Sequence, residues 1–370
     1  MKIQGAVLRE LERPRPFAQT RPMTFEELEL DDPGPGEVLI RMRAAGVCHS
    51  DLSVVDGNRP RPVPMLLGHE GAGVVEKLGE GVDDLEIGQQ VVTVFLPRCG
   101  VCANCRTDGK LPCIRGSATN GAGTLPFDGH KVRLHDGSGA EVLHHLGASV
   151  FATHAVLNRA SVVPVDDDVP APIAAVLGCA VLTGGGAVLN AGRPGAGDEV
   201  MIVGLGGVGM AALIAALSIE TAGVIGVDAN PDKLVRAKEL GAAEVFTPEQ
   251  LGDRRAPVVI ECVGHARAFE TAFEATAVGG TTVTVGLPAP DAQSHITPVT
   301  LTAEARTVIG SYLGSAVPSR DIPVYADLWR AGKLPVDELI SDTIGLTDLN
   351  SAFDALADGA VVRQIIDFEA

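Results

Sequence analysis

The clearest hydrophobic pattern runs through residues 198–233, DEVMIVGLGGVGMAALIAALSIETAGVIGVDANPDK, where it divides into three segments. VMIVG has the uniformly apolar character of a buried strand, and MAALIAALSI after the glycine-rich turn has that of a buried helix. GVIGVD indicates a second buried strand that ends at an acidic residue. Strand, helix and strand in this order predict a parallel βαβ unit.

The same region also meets the simplest criterion for a membrane-spanning helix. Residues 200–219 contain no charged side chain and are long enough to cross a bilayer. Glycines at positions 204, 206, 207 and 209 interrupt the run, however, and divide it into strand, turn and helix. We therefore expect a buried element of a soluble protein and no membrane partner.

Length, charge and cysteine content narrow the class of protein. A chain of 370 residues favours two domains. The formal net charge of -18, without a cluster of lysine and arginine, argues against a nucleic-acid partner. The N-terminal segment MKIQGAVLRELERPR lacks the apolar core of a secretory signal, so we expect a cytoplasmic protein. An odd number of cysteines, seven, also argues against a disulfide framework.

Four closely spaced cysteines favour a structural metal site. Cys99, Cys102 and Cys105 are each separated by two residues, and Cys113 follows after a short loop. Thiolates with this spacing can turn inward onto one tetrahedral zinc ion at about 2.3 Å from each sulfur. The alternative is a thioredoxin-type pair, but two overlapping pairs and a fourth cysteine suit a zinc cage better. Because a four-sulfur site is closed, we expect the chemistry to lie elsewhere.

A second set of metal-ligand types is more widely separated along the chain. Cys48 in AAGVCHSDL, His69 in LLGHEGAGVV and Cys179 in VLGCAVLTGG form a Cys/His/Cys set. Such a set can hold a catalytic zinc ion with a fourth position open to water or substrate. Asp51 strengthens the interpretation, because a carboxylate beside a zinc-bound imidazole fixes its tautomer. Two roles for Glu70 remain open, a place beside the zinc or a buried ion pair.

The glycine-rich turn predicts a dinucleotide site. Gly204, Gly206 and Gly209 form G-x-G-x-x-G between a strand and a helix, and Asp228 ends the next strand. The glycines permit a tight turn and close approach of a pyrophosphate, whose charge the helix N-terminus attracts. Asp228 can accept hydrogen bonds from a ribose 2′-OH and would repel a 2′-phosphate, so we expect NAD. Lys233 could reach the same ribose or be an exposed helix residue.

Together these motifs resemble those of the zinc-dependent medium-chain alcohol dehydrogenases, over essentially the whole chain. GHEGAGVVEKLG, residues 68–79, fits the catalytic zinc motif of that family; CGVCANC fits its structural zinc lobe, and GLGGVG with VDANPDK fits its nucleotide fold. The resemblance implies an α/β protein in which a Rossmann domain is inserted into a GroES-like, mainly-β catalytic domain. The implied bounds are 1–180, 181–313 and 314–370.

The resemblance also implies roles for individual residues. Ser50 would relay the alcohol proton, Asp51 would lie behind the catalytic ligand His69, and Phe95 and Phe151 would shape the substrate pocket. The catalytic zinc ligands would be Cys48, His69 and Cys179, and the structural zinc ligands Cys99, Cys102, Cys105 and Cys113. The implied cofactor contacts are His49, Thr183, Gly204, Gly206, Gly207, Val208, Gly209, Asp228, Lys233 and Arg363.

The implied reaction is the reversible, NAD-linked oxidation of a primary or secondary alcohol to an aldehyde or ketone. Zinc serves as the Lewis acid and NAD as the hydride acceptor. The long segment after Cys113 is similar to that of the animal and glutathione-linked branches, which favours a homodimer over a tetramer. Two alternatives are a thiol-dependent formaldehyde dehydrogenase, using glutathione or mycothiol, and a non-catalytic, zinc-stabilised NAD-binding sensor.

Some positions depart from the family pattern or need no role in it. Many relatives carry a histidine three residues after the relay residue, and this chain has Ser53 there, so proton release could pass through water. His144 and His145 are adjacent, but the predicted zinc sites need no further ligand. Cys262 in VVIECVG is expected to be an inert packing residue on a strand.

Overall fold

The computed structural model describes residues 1–127 and 131–369. Within these residues the backbone forms strands that we label β1 to β18 in chain order. Their bounds are β1 Lys2–Leu8, β2 Met23–Leu30, β3 Glu37–Val47, β4 Met65–Leu66, β5 Glu70–Leu78, β6 Gln90–Thr93, β7 Leu134–His135, β8 Leu143–His144, β9 His154–Asn158, β10 Val162–Pro164, β11 Glu199–Val203, β12 Gly223–Val227, β13 Glu244–Phe246, β14 Ala256–Glu261, β15 Thr276–Thr284, β16 Thr307–Gly310, β17 Asp342–Ile344 and β18 Gln364–Asp367.

The α-helices of the same residues are labelled α1 to α11. Their bounds are α1 Phe17–Thr20, α2 His49–Val55, α3 Ile114–Ala122, α4 Ala171–Val176, α5 Leu182–Gly186, α6 Gly207–Leu217, α7 Pro231–Leu240, α8 Ala266–Glu274, α9 Pro298–Ala303, α10 Pro318–Arg330 and α11 Leu349–Ala357. Two π-helical turns, Leu177–Val181 and Ala187–Gly192, join α4 and α5 into one continuous helix, Ala171–Gly192. That helix is apolar and long enough to span a membrane, but 89% of its most apolar stretch is buried inside the protein, as expected of a core helix.

The chain divides into two compact units. Unit 1 comprises Met1–Cys179, Val317–Ala326 and Ile340–Ala370, and unit 2 comprises Ala180–Ala316 and Asp327–Leu339. The change of unit between Cys179 and Ala180 lies one residue before the predicted first join. The predicted second join, at 313, lies three residues before the change of unit after Ala316, and residues 327–339 of the predicted final part belong to compact unit 2. The domain bounds themselves stay predictions.

Residues 327–339 pack with unit 2 because their apolar side chains are buried there. Leu334, Val336 and Leu339 are no more than 1% exposed, and the 3-10 turn Val336–Leu339 contacts α6. Glu338 of the same turn forms an ion pair with Arg236 on α7. The burial of these side chains places the segment with unit 2, although the segment lies close in sequence to the final part of unit 1.

Two sheets form the framework of unit 1. The first has the strand order β7-β2-β1-β4-β8, and the second has β10-β6-β5-β3-β18-β17, with β9 also paired to β3. The central strand β3 is antiparallel to β5, with Gly46 opposite Glu70, and to β18, with Val47 opposite Gln364. This register brings the end of β3 beside the beginnings of β5 and β18. Residues that flank these three strand ends are therefore neighbours.

Unit 2 is built on one parallel sheet with the order β13-β12-β11-β14-β15-β16. Counted from β11, this is the order 3-2-1-4-5-6 of a Rossmann dinucleotide-binding fold. β11, α6 and β12 are the strand, helix and strand that the hydrophobic pattern predicts, and their apolar side chains fill the core. The predicted α/β fold class, a mainly-β domain with a Rossmann domain, is confirmed.

Candidate metal centres and dinucleotide loop

Three predicted ligands converge at one place in unit 1. Cys48 follows β3 as the N-cap of α2, His69 precedes β5, and Cys179 lies in the first π turn of the long helix. Single ligand atoms from these residues and from Glu70 all lie within 4.8 Å of one another. Cys179 Sγ is 3.4 Å from His69 Nε2, a separation that suits two ligands of one ion at about 2.0–2.3 Å. The residues therefore fit a zinc ion, as the sequence predicts.

Asp51 orients the imidazole of His69. The Asp51 carboxylate is fully buried, and its Oδ1 lies 3.1 Å from His69 Nδ1 and accepts the backbone N–H of Gly68 at 3.0 Å. Because Nδ1 faces a carboxylate, it carries the ring proton and leaves Nε2 available to a metal. Burial, the largest single effect, raises the pKa of Asp51, but His69 and His145 together outweigh it and the pKa falls to about 2. The predicted contact between Asp51 and His69 is confirmed.

The backbone before His69 depends on a glycine. Gly68 has φ +90, and a Cβ there would lie 2.6 Å from the backbone nitrogen of Phe151. Phe151 itself has no exposed surface and packs in the core of unit 1, so its predicted place in the substrate pocket is wrong. Phe95 does reach the site: its ring lies 5.5 Å from that of His69 and perpendicular to it.

Glu70 meets both of the options that the sequence leaves open. One carboxylate oxygen belongs to the ligand cluster, and Oε1 lies 3.5 Å from Arg363 Nε, with both side chains buried. Burial raises the pKa of Glu70 to about 7, although the Arg363 guanidinium acts in the opposite direction. Arg363 also donates from Nη1 to the Val47 carbonyl at 2.8 Å. Its contact with the cofactor pyrophosphate stays a prediction.

His145 lies at the centre although the sequence gives no reason to place it there. Its side chain is 2% exposed, and its Nδ1 is 3.1 Å from Asp51 Oδ1. Its ring is 5.6 Å from that of His69 and nearly perpendicular to it. His144, by contrast, accepts the backbone N–H of Arg133 at 3.1 Å with its Nε2. Two adjacent histidines do not reveal which of them faces a distant carboxylate, so no signal in the sequence distinguishes them.

The first turn of α2 carries the residues predicted for proton transfer. His49 is exposed and Ser50 is half-buried, directly after the ligand Cys48. Ser53, one turn later, donates from Oγ to the His49 carbonyl at 2.7 Å, so its hydroxyl is engaged within the helix. The relay role of Ser50 and the pyrophosphate contact of His49 stay predictions.

The four-cysteine lobe forms a second, closed cluster. The four sulfurs lie within 4.8 Å of one another, and they belong to Cys99, Cys102, Cys105 and Cys113. Cys99 Sγ and Cys105 Sγ are 3.9 Å apart, close to the edge of about 3.8 Å expected for tetrahedral sulfurs at 2.3 Å from zinc. Cys113 Sγ accepts the backbone N–H of Gly116 at 3.4 Å, and other backbone N–H groups lower the pKa of Cys102 to about 6. The lobe fits a structural zinc ion.

The glycine-rich loop of unit 2 has the close contacts that its pattern predicts. A Cβ on Gly209 would lie 1.7 Å from the Gly204 carbonyl oxygen, so the first turn of α6 packs directly on the loop. A Cβ on Gly206 would meet nothing within 4 Å, which leaves room there for a pyrophosphate. Asp228 follows β12 and accepts the Leu205 backbone N–H at 2.7 Å, so its carboxylate is held against the loop.

The remaining predicted cofactor residues lie on elements of unit 2. Gly207 and Val208 form the first turn of α6, Thr183 lies on α5 and is 7% exposed, and Lys233 is half-buried on α7. Their contacts with NAD stay predictions. Cys262 directly follows β14 and is partly exposed, so its expected place on a strand is wrong.

Comparisons with known proteins agree with both parts of this arrangement. The family description "Alcohol dehydrogenase GroES-like domain" matches residues 34–167, and "Zinc-binding dehydrogenase" matches residues 207–330. The chain is 37% identical to a Mycobacterium tuberculosis protein named as a proposed alcohol dehydrogenase D, over 99% of this chain and 100% of that protein.

Solved structures show the same similarity. Benzyl alcohol dehydrogenase from Acinetobacter calcoaceticus is 28% identical, with a TM-score of 0.87 over 99% of both chains. Acetophenone reductase from Geotrichum candidum, solved in complex with NAD, is 25% identical, with a TM-score of 0.79 over 100% of this chain and 98% of that chain.

Proposed function

The chain belongs to the zinc-dependent medium-chain alcohol dehydrogenase family, and we propose that it reversibly oxidises a primary or secondary alcohol to an aldehyde or ketone, with NAD as the hydride acceptor. The observation that carries the proposal is the convergence of Cys48, His69 and Cys179. A Cys/His/Cys set leaves a fourth coordination position for a substrate oxygen. A purely structural zinc site has no such position. Glu70 forms an ion pair with Arg363 at 3.5 Å, and we propose that it is not the fourth ligand.

The donor set suits the chemistry that the two cofactors would bring. Bound zinc supplies Lewis-acid polarisation of the alcohol oxygen, and bound NAD supplies the hydride acceptor. Cys48 and Cys179 provide thiolates, and His69 provides Nε2 because Asp51 faces its Nδ1. The perpendicular ring of Phe95 restricts the imidazole from a second side. This rigidity keeps the ligands in one geometry through the reaction.

Ser50 is the residue of this chain that we propose to hold the alcohol proton. It lies two positions after Cys48 and is half-buried at the start of α2, where a hydroxyl can accept one proton and donate another. Ser53 is bonded to the His49 carbonyl, so we do not assign it to the relay. Proton release beyond Ser50 would then pass to water or to the cofactor ribose.

The cofactor preference is proposed from Asp228. Its carboxylate is fixed at the end of β12 by the Leu205 N–H, beside the open face of Gly206. An acidic group at this place accepts hydrogen bonds from the ribose 2′-OH and repels a 2′-phosphate. The NAD bound to acetophenone reductase, a structural relative, agrees with this preference. We propose NAD rather than NADP.

The substrate, the assembly and the location are the finer parts of the proposal. The names of the structural relatives direct attention to benzylic and aryl substrates, and we propose a small-molecule alcohol without a thiol cofactor. We also propose a homodimer, with a tetramer as the alternative, and a cytoplasmic location. Size-exclusion chromatography with light scattering distinguishes the two assemblies.

The experiment that tests the function follows NADH formation by zinc-loaded protein. The panel contains short primary and secondary alcohols, benzyl alcohol, 1-phenylethanol, and formaldehyde with and without glutathione or mycothiol. We expect turnover of a free alcohol that a zinc chelator abolishes. Formaldehyde oxidation only in the presence of a thiol would assign the chain to the thiol-dependent alternative. No turnover by protein that binds both zinc and NAD would favour the non-catalytic sensor.

A further inference from the structure

Several buried polar atoms around the catalytic ligands have no hydrogen-bond partner among the described residues, and two of them lie behind His69. They are Asp51 Oδ2 and His145 Nδ1. The two groups are nevertheless neighbours, because His145 Nδ1 lies 3.1 Å from the other carboxylate oxygen, Asp51 Oδ1. An unpaired buried donor and an unpaired buried acceptor are both unfavourable. A small rotation of the ring or of the carboxylate would satisfy both at once.

We propose that His145 is a positioning residue of the catalytic zinc centre: its Nδ1 donates to Asp51 and so fixes the carboxylate that orients His69. This inference rests on the proposed zinc chemistry, and it adds a residue to the site. His145 acts on the metal only through Asp51 and His69.

The cluster of Asp51, His69 and His145 is not a further metal site. Their ligand atoms lie within 4.8 Å of one another, which by itself also describes a set of metal ligands. His69 Nε2, however, is directed towards Cys179 Sγ at 3.4 Å, so Nδ1 is the nitrogen that carries the proton. A protonated Nδ1 donates to Asp51 and cannot bind a second ion. The carboxylate is therefore the acceptor for the donors around it.

The position of His145 in the fold explains why its N–H matters. Asp51 belongs to α2, Gly68 and His69 precede β5, and His145 follows β8. Gly68 N and His69 Nδ1 already face Oδ1 of the Asp51 carboxylate, at 3.0 and 3.1 Å. A donor from the third segment removes the remaining freedom of the carboxylate to rotate. The ring of His145 also stands edge-on to that of His69, so the two imidazoles restrict each other.

Loss of this donor should weaken the hold on zinc at one site only. Removal of the group that supports a metal-bound histidine typically lowers metal affinity by about 10–100-fold. His145 acts one step further away, so we expect zinc release to become about tenfold faster, at the low end of that range. The four-cysteine lobe shares none of these residues and serves as a reference within the same chain.

A matched pair of variants separates the N–H from the shape of the side chain. His145→Leu removes the donor. In His145→Asn the side chain has nearly the same shape as leucine but keeps an N–H donor at the δ position. His144→Leu is the control, because His144 is equally buried but bonds to the Arg133 backbone. The measurement is zinc release to a chromophoric chelator, without substrate or NAD, together with the zinc content of each chain and its thermal unfolding.

We expect His145→Leu to release one of two zinc ions about tenfold faster than the wild-type protein, while the second ion is unaffected. His145→Asn and His144→Leu should release zinc close to the wild-type rate. Equal release by the Leu and Asn variants of His145 would overturn the inference, because the donor would then have no role. If His145→Leu fails to fold, His145→Phe takes its place, because it keeps a ring but lacks the donor. The inference then requires faster zinc release from His145→Phe and the wild-type rate from His145→Asn.

The outcome is separable from that of the proposed function. A wild-type protein that holds two zinc ions but oxidises no alcohol contradicts the function and leaves the role of His145 intact. If the wild-type protein oxidises an alcohol, but the Leu and Asn variants of His145 release zinc at the same rate, the proposed function is supported and the role of His145 is contradicted.

Discussion

Ser50 and Ser53 lie one helical turn apart on α2 but differ in what their hydroxyls can do. Ser53 Oγ is bonded to the His49 carbonyl, whereas Ser50 lies two positions after the ligand Cys48 and is half-buried. We expect Ser50→Ala to lower kcat by about a hundredfold or more, since general acid–base catalysis contributes on that scale. Ser53→Ala is the matched control and should keep nearly the wild-type kcat. Steady-state NADH formation, with zinc content measured in parallel, checks the pair, and equal losses in both variants would contradict the assignment.

The individual ligands and the supporting residue Asp51 could be predicted from the sequence, but the places of His145 and Arg363 at this centre could not. Cys48, His69 and Cys179 are metal-ligand types within short, recognisable motifs. His145 and Arg363 reach the same centre only because the register of β3, β5 and β18 and the path after β8 bring distant segments together. Such contacts depend on tertiary packing, so neither residue type nor spacing reveals them. The error for Phe151 has the same origin, because its burial is a property of the core.

At the level of elements, alanine substitutions at two glycines of one loop should have different effects, one on stability and the other on NAD binding. Gly209→Ala places a methyl group 1.7 Å from the Gly204 carbonyl oxygen, so α6 must shift, and overpacking of this kind costs about 1–3 kcal/mol. Gly206→Ala meets no atom within 4 Å, and its φ of -76 suits alanine. We therefore expect a lower melting temperature for the Gly209 variant alone. The Gly206 variant should melt normally but bind NAD more weakly, because its methyl group occupies the approach of the pyrophosphate.

Thermal unfolding and NAD titration by fluorescence check both glycine variants. A Gly209→Ala protein that melts like the wild type would show that the loop tolerates a side chain at its closest contact. Wild-type NAD affinity in Gly206→Ala would place the pyrophosphate elsewhere.

The acidic residue after β12 predicts the cofactor preference. Asp228→Asn keeps the shape of the side chain and removes its charge. We expect the ratio of kcat/KM for NAD over NADP to fall by about tenfold or more, about 1.4 kcal/mol, because repulsion of the 2′-phosphate is lost. Asp232→Asn, an exposed site in the first turn of α7, is the control and should leave the ratio unchanged. Similar shifts in both variants would indicate a general effect of net charge.

The elements of the Rossmann unit could be predicted because local pattern and final structure agree. β11, α6 and β12 are buried, so each is an apolar run bounded by glycine or polar residues. The π turns within the helix Ala171–Gly192 could not be predicted, although one of them carries Cys179. An extra residue in a helical turn changes the direction of side chains without changing the apolar pattern.

For the whole molecule, the sequence marks the first change of compact unit more clearly than the later ones. The join at residue 179 lies next to a motif of the metal centre, which the sequence shows directly. The return to unit 1 has no such motif. The segment Asp327–Leu339 packs with unit 2 through apolar side chains whose partners, on α6, lie more than a hundred residues earlier. Only the assembled core decides to which unit this segment belongs.

The stability of the whole molecule should also depend on pH through His144. This side chain is 1% exposed, its Nε2 accepts the Arg133 backbone N–H, and burial lowers its pKa to about 3. In the unfolded chain its pKa returns to about 6.5, so between these two values the unfolded state binds the extra proton. The free energy of unfolding should therefore fall as the pH drops below about 6.5, by up to about 1.4 kcal/mol for each pH unit from this residue.

His144→Gln isolates this contribution, because a glutamine carbonyl can accept the same N–H but does not titrate. We expect the variant to be less stable than the wild type at neutral pH but to lose less stability on acidification. Denaturant unfolding at a series of pH values from 7.5 to 5, on zinc-loaded proteins, measures both slopes. Parallel slopes would show that the acid sensitivity of the fold arises elsewhere, since His144 would then not change its protonation on unfolding.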